Sequence, residues 1–206
     1  MGIRDFFARR RGGQGDLSER PEAIPAPVVD YSALAPMAEI LSQGDPRVLD
    51  DMTLLASGYE AFAAVHREWC DTMFPDGIRA GSQFSILREV FTFCLAGYET
   101  PYEYGAYIDW KEASDEVAAS LQGVVDKLGF PIQLGEVVFP ESEDTFDALV
   151  AIAQHFSERE YALVVIDTES DSYHLYVVPQ AELEPLIALG ASVGFAVSVP
   201  GRRSGA

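Results

Sequence analysis

The side chains best suited to chemistry lie in two short stretches. One is Ile108-Asp109-Trp110-Lys111 and the other runs Asp167-Thr168-Glu169-Ser170-Asp171-Ser172-Tyr173-His174. Asp109 and Asp167 stand near the ends of strand-like segments. With His174 they would form an acid/base or metal cluster if those strands were neighbours, since a carboxylate can orient an imidazole that titrates near neutral pH. Carboxylates at strand ends are also what any acidic surface displays, so a solvated sheet edge is the simpler reading. Asp167, Glu169 and Asp171 give D-x-E-x-D, the opening of a calcium loop. Ser172 and Val178 then replace the turn glycine and the bidentate Glu, so a solvated hairpin turn is expected instead. Lys111 is either a binding or ion-pair position at a sheet edge, or a helix-entry residue offset by Glu112 and Asp115. His66 and His155 fall in helical patterns without a second ligand at metal spacing, and are expected in the core and on the surface respectively.

No phosphate-binding glycine loop, dinucleotide fingerprint, zinc-protease helix or esterase elbow occurs in the sequence. No catalytic residue, metal site or cofactor is assigned. Asp109, Trp110, Lys111, Asp167, Asp171 and His174 are the candidate binding residues.

These residues need elements to hold them. Residues 33–41 suggest a first helix, and Asp45-Pro46 opens a second with Asp as cap and Pro in its first turn. Val48, Met52, Leu55, Tyr59, Phe62 and His66 recur at steps of three and four, the stripe of a core-facing helix, with Gly58 able to bend it. Phe74-Pro75-Asp76-Gly77 reads as a turn, and Ser82 can cap a third helix that turns Ile86, Leu87, Val90, Phe91 and Cys94 inward. Residues 104–110 alternate as a strand, with Ala106, Ile108 and Trp110 on one face and Tyr107 and Asp109 on the other. Ser114 caps a helix that carries Val117, Leu121, Val124, Val125 and Leu128 to a Gly129 stop. Residues 130–139 hold at most an edge strand between two prolines. A further helix spans 144–156.

The segment 161–199 is the most regular. A β-hairpin, a helix after Pro185 and a returning strand follow in order. With Glu169-Ser170 at the turn centre, Asp167 faces Ser172, Val165 faces His174 and Leu163 faces Tyr176. That register groups Asp167, Ser172, His174 and Tyr176 on one face, as a hydrogen-bonded network or a cleft. The fold class expected is α+β: a mixed, largely antiparallel sheet with helices mainly on one face and the hairpin near its centre.

Charge sets further limits. The formal charge is −19, and it is uneven. Residues 1–20 and Arg202-Arg203 each carry +2, so the body between them holds 30 acidic against seven basic residues. Such a surface repels phosphate backbones and is a poor nucleic-acid binder; it attracts a basic protein or simply keeps the chain soluble. Residues 1–27 form a basic amphipathic start (Ile3, Phe6 and Phe7 beside Arg4, Arg9, Arg10 and Arg11) followed by a Gly/Pro linker. Residues 28–200 are expected as one α+β domain and 201–206 as a tail. Three apolar side chains give at most weak membrane-surface contact through residues 1–11. Cys70 and Cys94 sit in apolar helical surroundings without a C-x-x-C pair. They read as reduced, buried thiols, and a cytoplasmic location is expected, possible contact being with the inner membrane face.

The strand end Asp109-Trp110-Lys111 before a helix, and the hairpin Asp167-Thr168-Glu169-Ser170-Asp171-Ser172-Tyr173-His174-Leu175 leading to Val178-Pro179, together resemble an uncharacterised bacterial family of domains of unknown function. The resemblance covers residues 104–199. It implies a shared α+β fold and no established activity, so no residue role is carried over. From charge and the missing catalytic set, the function expected is a non-enzymatic acidic interaction module for a basic protein, immunity-like or regulatory by analogy. A hydrolytic or metal-dependent enzyme built on Asp109, Asp167 and His174, and a membrane-tethered accessory protein, are the alternatives.

Overall fold

The computed structural model describes residues 31–74, 83–96, 102–140 and 144–202. The basic start, the linker, residues 75–77 of the expected turn, the Ser82 cap and the last four residues lie outside them. After a 3-10 turn at Tyr31–Ala33 come α1 (Leu34–Ser42), α2 (Pro46–Ser57), α3 (Tyr59–Val65), α4 (Arg67–Met73) and α5 (Gln83–Leu95). Then follow β1 (Gly105–Asp109), α6 (Ser114–Leu128), α7 (Thr145–Ser157), β2 (Tyr161–Asp167), β3 (Ser172–Pro179), α8 (Leu183–Ser192) and β4 (Ala196–Ser198).

Local chemistry explains the boundaries. Asp45 caps α2 by accepting from the Arg47 amide, with Pro46 in the first turn. The stripe expected to be one helix through His66 falls on two, α2 and α3, with His66 itself at the break before α4. Gly58 at φ 133° and ψ 150° leaves the helical region and breaks α2 from α3, and His66 at φ −105° separates α3 from α4. Left-handed Gly129 ends α6, but Ser114, expected as its cap, is its first helical residue, and Ala113 holds the cap position with no side-chain bond. Residues 130–139 form no strand. Their one regular piece is a 3-10 turn, Leu134–Glu136, which Gln122 of α6 holds by accepting the Leu134 amide at 2.8 Å.

The sheet order is β1-β3-β2-β4, and every pairing is antiparallel. The α+β fold and the central hairpin are as expected, but the sheet is wholly antiparallel rather than mixed, and helices cover both of its faces rather than mainly one, because both middle strands are apolar on each side. Leu163, Val164, Leu175 and Tyr176 are all fully buried, and since neighbouring residues face opposite ways, helices must cover both faces. α5 lies on the face of His174 and Tyr176: the Tyr176 hydroxyl donates to the Thr92 carbonyl at 3.1 Å. α8 packs on the same face at β4, its Gly190 against Val197. α6 and α7 pack on each other and against β1, β3 and β2 from the opposite side.

The hairpin register is one residue from the expected one. Val165 pairs with Leu175 and Ile166 with His174. Glu169 adopts a left-handed conformation (φ 60°), and the Asp167 carboxylate accepts the Glu169 amide at 2.7 Å. Thr168 is drawn inward, its carbonyl accepting from Arg88 of α5 at 3.2 Å. The bend therefore takes one more residue on the β2 side than a symmetric two-residue turn would. Because side chains alternate, that slip puts Asp167 on the face opposite His174.

Candidate functional site

β1 and β2 are not neighbours, since β3 runs between them. Asp109 and Asp167 are thus two strand spacings apart, about 10 Å, and on opposite faces. His174 is fully buried. Asp109, Asp167 and His174 do not converge, and no polar network joins Asp167, His174 and Tyr176. Among the described residues no group of three or more His, Cys, Asp or Glu is placed to hold a metal ion.

His174 is an interior residue of an unusual kind. The edge of its ring meets Phe93 (4.8 Å, 89°) and Tyr107 (5.3 Å, 73°), the residue opposite it on β1. Neither ring nitrogen has a hydrogen-bond partner, and burial pushes its pKa down to about 4, so it is neutral at physiological pH. Its rings continue a line of aromatic contacts from Phe62 through Trp69, Phe74 and Phe93.

The other five candidates share one end of the sheet. β1 ends at Asp109, opposite Ser172 where β3 begins, so Trp110 lies in the turn beyond the strand rather than on its Ala106 and Ile108 face, and Asp171 lies in the hairpin tip at the same end. Asp109 holds the Lys111 amide at 2.9 Å, which turns the chain sharply after the strand. The Thr145 hydroxyl, buried at the start of α7, lies 2.7 Å from the Trp110 carbonyl and 2.9 Å from that of Glu112, fixing the turn from below. Trp110 is left 51% exposed, and the Lys111 ammonium sits 4.4 Å from the centre of its ring, a cation–π contact. Asp109, Glu112, Asp115 and Glu116 lie within six residues of Trp110 along the chain, and Glu169 and Asp171 belong to the hairpin tip at the same end of the sheet. Glu112 and Glu116 are one helical step apart and share a hydrogen bond that raises the Glu112 pKa, helped by burial and the charges of Glu116 and Asp109. A Thr168–Ser170–Ser172 hydroxyl chain, each link 2.8 Å, stiffens the hairpin tip.

Several bases of the body are already engaged. Arg47 pairs with Asp45, Arg88 approaches Glu169 at 3.5 Å, Arg159 contacts Glu136 and Glu158, and Lys111 and Lys127 lie over aromatic rings. Asp109, Asp115, Glu116, Glu169 and Asp171 at this end of the sheet are exposed.

A second polar group escaped the sequence reading. The Asp51 carboxylate contacts His66 Nε2 and accepts from the Tyr102 hydroxyl, each at 2.8 Å. Asp45 accepts from Tyr104 at 2.9 Å and is held well below the usual carboxylate range, by the Arg47 guanidinium first, against an opposing desolvation, then by Tyr104 and the Arg47 amide. Burial, with the hydrogen bond to its Asp, raises each tyrosine pKa. Two carboxylates on the first turns of α2 thus pin the segment that enters β1. The partners are more than fifty positions apart, and no local spacing announces them. His155 is likewise buried rather than on the surface, its Nε2 3.1 Å from the Gln133 carbonyl. A concavity of about 530 Å³, bordered by Val150, Gln154, Glu160, Gln180 and Arg202, contains none of the expected site residues. Cys70 and Cys94 are buried, and desolvation raises both thiol pKa values.

Residues 33–200 match a family model described as a domain of unknown function, DUF6630. The chain belongs to this family. The match takes in α1 to β4, so the sheet end and the Asp51 group both lie within the family domain. No curated protein and no solved structure matches the chain. Among the described residues no helix is long and apolar enough to cross a membrane.

Proposed function

We propose that this family domain is a non-enzymatic acidic module that binds a basic protein at the Trp110 end of its sheet. The observation that carries the reading is the setting of Trp110. An exposed indole, its ring already attracting an ammonium, stands at a sheet end whose strand, following turn and helix, and hairpin tip carry Asp109, Glu112, Asp115, Glu116, Glu169 and Asp171. Aromatic surface supplies desolvation energy and surrounding charge supplies orientation and encounter rate, the usual division of labour in an interface. Rigidity supports it: Thr145, Arg88 and the hydroxyl chain fix the turn and the tip, so little entropy remains to be lost on binding.

The test is capture from native lysate with the full chain and with Trp110→Ala/Asp171→Asn. The reading predicts a basic protein retained by the wild type, released as salt rises, and lost by the variant at unchanged melting temperature. A retained partner that is acidic, or held equally by the variant, contradicts it.

A further inference from the structure

We infer that the concavity beside Arg202 binds an extended peptide segment with apolar side chains, which adds as a short strand along the start of β2. The site lies at the other end of the sheet from Trp110 and does not depend on the reading of that surface.

The backbone of β2 shows where such a segment attaches. In an antiparallel strand, successive residues turn their N–H and C=O groups to alternate neighbours. The Gln180 amide donates to the Glu160 carbonyl at 2.8 Å, in line with the register that sets Tyr161 opposite Pro179. Ala162, Val164 and Ile166 therefore bond towards β3, and Tyr161, Leu163, Val165 and Asp167 turn towards β4. That edge is only half covered, by Ala196 opposite Asp167 and Ser198 opposite Val165. Continued, the register would set Pro200 opposite Leu163 and Arg202 opposite Tyr161. Proline has no N–H to offer. Gly201 then takes a left-handed φ of 75°, and the Arg202 amide turns back to the Val199 carbonyl at 3.2 Å. The chain leaves the sheet there, with Gly201 close against Val150 of α7. Among the described residues, no group takes its place on the Tyr161 N–H and C=O.

The surroundings suit a strand. The concavity opens at Tyr161 and Ala162 with Val150 and Ala153 of α7 on one side and Leu183 of α8 on the other. Side chains of an extended segment point alternately to the two faces of a sheet, so both sets would meet apolar surface. The volume of about 530 Å³ lies within the range of ligand sites, about 300–1,000 Å³. The border carries both signs of charge, Glu160 and Arg202, and Arg202 already pairs with Glu184 at 3.0 Å. Charge selects neither sign here, so recognition falls to backbone bonds and apolar contact, the mode of strand addition.

Titration of the isotope-labelled full chain with acetylated and amidated Val-Thr-Val-Thr tests it. The expected result is a saturable shift of the Tyr161 amide, Gln180 and residues 199–202, with the Tyr161 amide becoming protected from hydrogen exchange. Methylating the peptide nitrogens removes the donors and should weaken binding about tenfold. Gln154→Trp, at an exposed position on the border, should block binding at unchanged melting temperature. No saturable shift at Tyr161, or shifts centred elsewhere, overturns the inference. Equal binding of the methylated peptide also overturns it, since that marks an apolar cavity rather than a strand edge. So do Tyr161 shifts that grow with protein concentration in the absence of peptide, which indicate a second copy as occupant. None of these results bears on capture of a basic protein at Trp110, so the two proposals fail separately.

Discussion

Replacing His174 by Leu removes two buried, unpartnered ring nitrogens at nearly constant volume. A buried polar atom without a partner costs about 1–3 kcal/mol. The edge contacts with Phe93 and Tyr107 that the ring supplies return about 0.5–1.5 kcal/mol each. Near pH 8 the two effects nearly cancel, and the variant should match or slightly exceed the wild type in stability. Acid separates them. The imidazole has a pKa of about 4 when folded against an ordinary value of 6.5, so between these values the unfolded chain binds the extra proton. Stability from this group is therefore complete above pH 6.5 and falls as the pH drops towards 4. The wild type loses about 2 kcal/mol by pH 5 and about 3 kcal/mol below pH 4 from this residue alone, and the Leu variant does not. Urea unfolding of both proteins at pH 8 and pH 5 reads the difference, with all other titrations common to the two. Parallel pH dependence would refute the placement of a neutral histidine in the interior, and so would a Leu variant several kcal/mol weaker at every pH.

Tyr102→Phe removes the hydroxyl bond to the Asp51 carboxylate, and a loss of about 1.5–3 kcal/mol is expected in chemical denaturation. Asp45→Ala deletes a cap, and melting should fall by the equivalent of about 1–2 kcal/mol. Because the Asp45 carboxyl is depressed, that difference is fully present above its ordinary pKa and closes as the pH falls through the lower folded value. In Gly105→Ala the new methyl would stand 2.6 Å from the Tyr176 ring and 2.8 Å from the Leu175 carbonyl. A loss of about 1–3 kcal/mol or more should follow. Cys70 and Cys94 should resist a thiol reagent until the chain unfolds, as a timed mass-spectrometric assay can show.

The strands, the hairpin's central place and most helix starts were legible because each rests on a local signal. Alternation marks β1 to β3, Asp45 and Asp144 cap by side chain, and Gly129 takes the left-handed stop. The hairpin register was not legible. It turns on left-handed Glu169 and on Arg88 reaching Thr168 from eighty positions away. That one-residue slip undid the expected Asp167–His174 face. Trp110, Lys111, Asp109 and Asp171 were singled out by type, and antiparallel pairing gathers them. The tyrosine–carboxylate pins, by contrast, join residues whose roles exist only after α2 has packed beside the approach to β1.

The most direct test of the account is to titrate the isotope-labelled chain with a hexa-arginine peptide and follow backbone and indole signals. The account predicts the largest shifts at the Trp110 indole and at residues 109–116 and 169–172, suppressed by high salt and weakened in Trp110→Ala. Shifts of equal size over the whole acidic surface, or centred on the concavity beside Arg202, would contradict it.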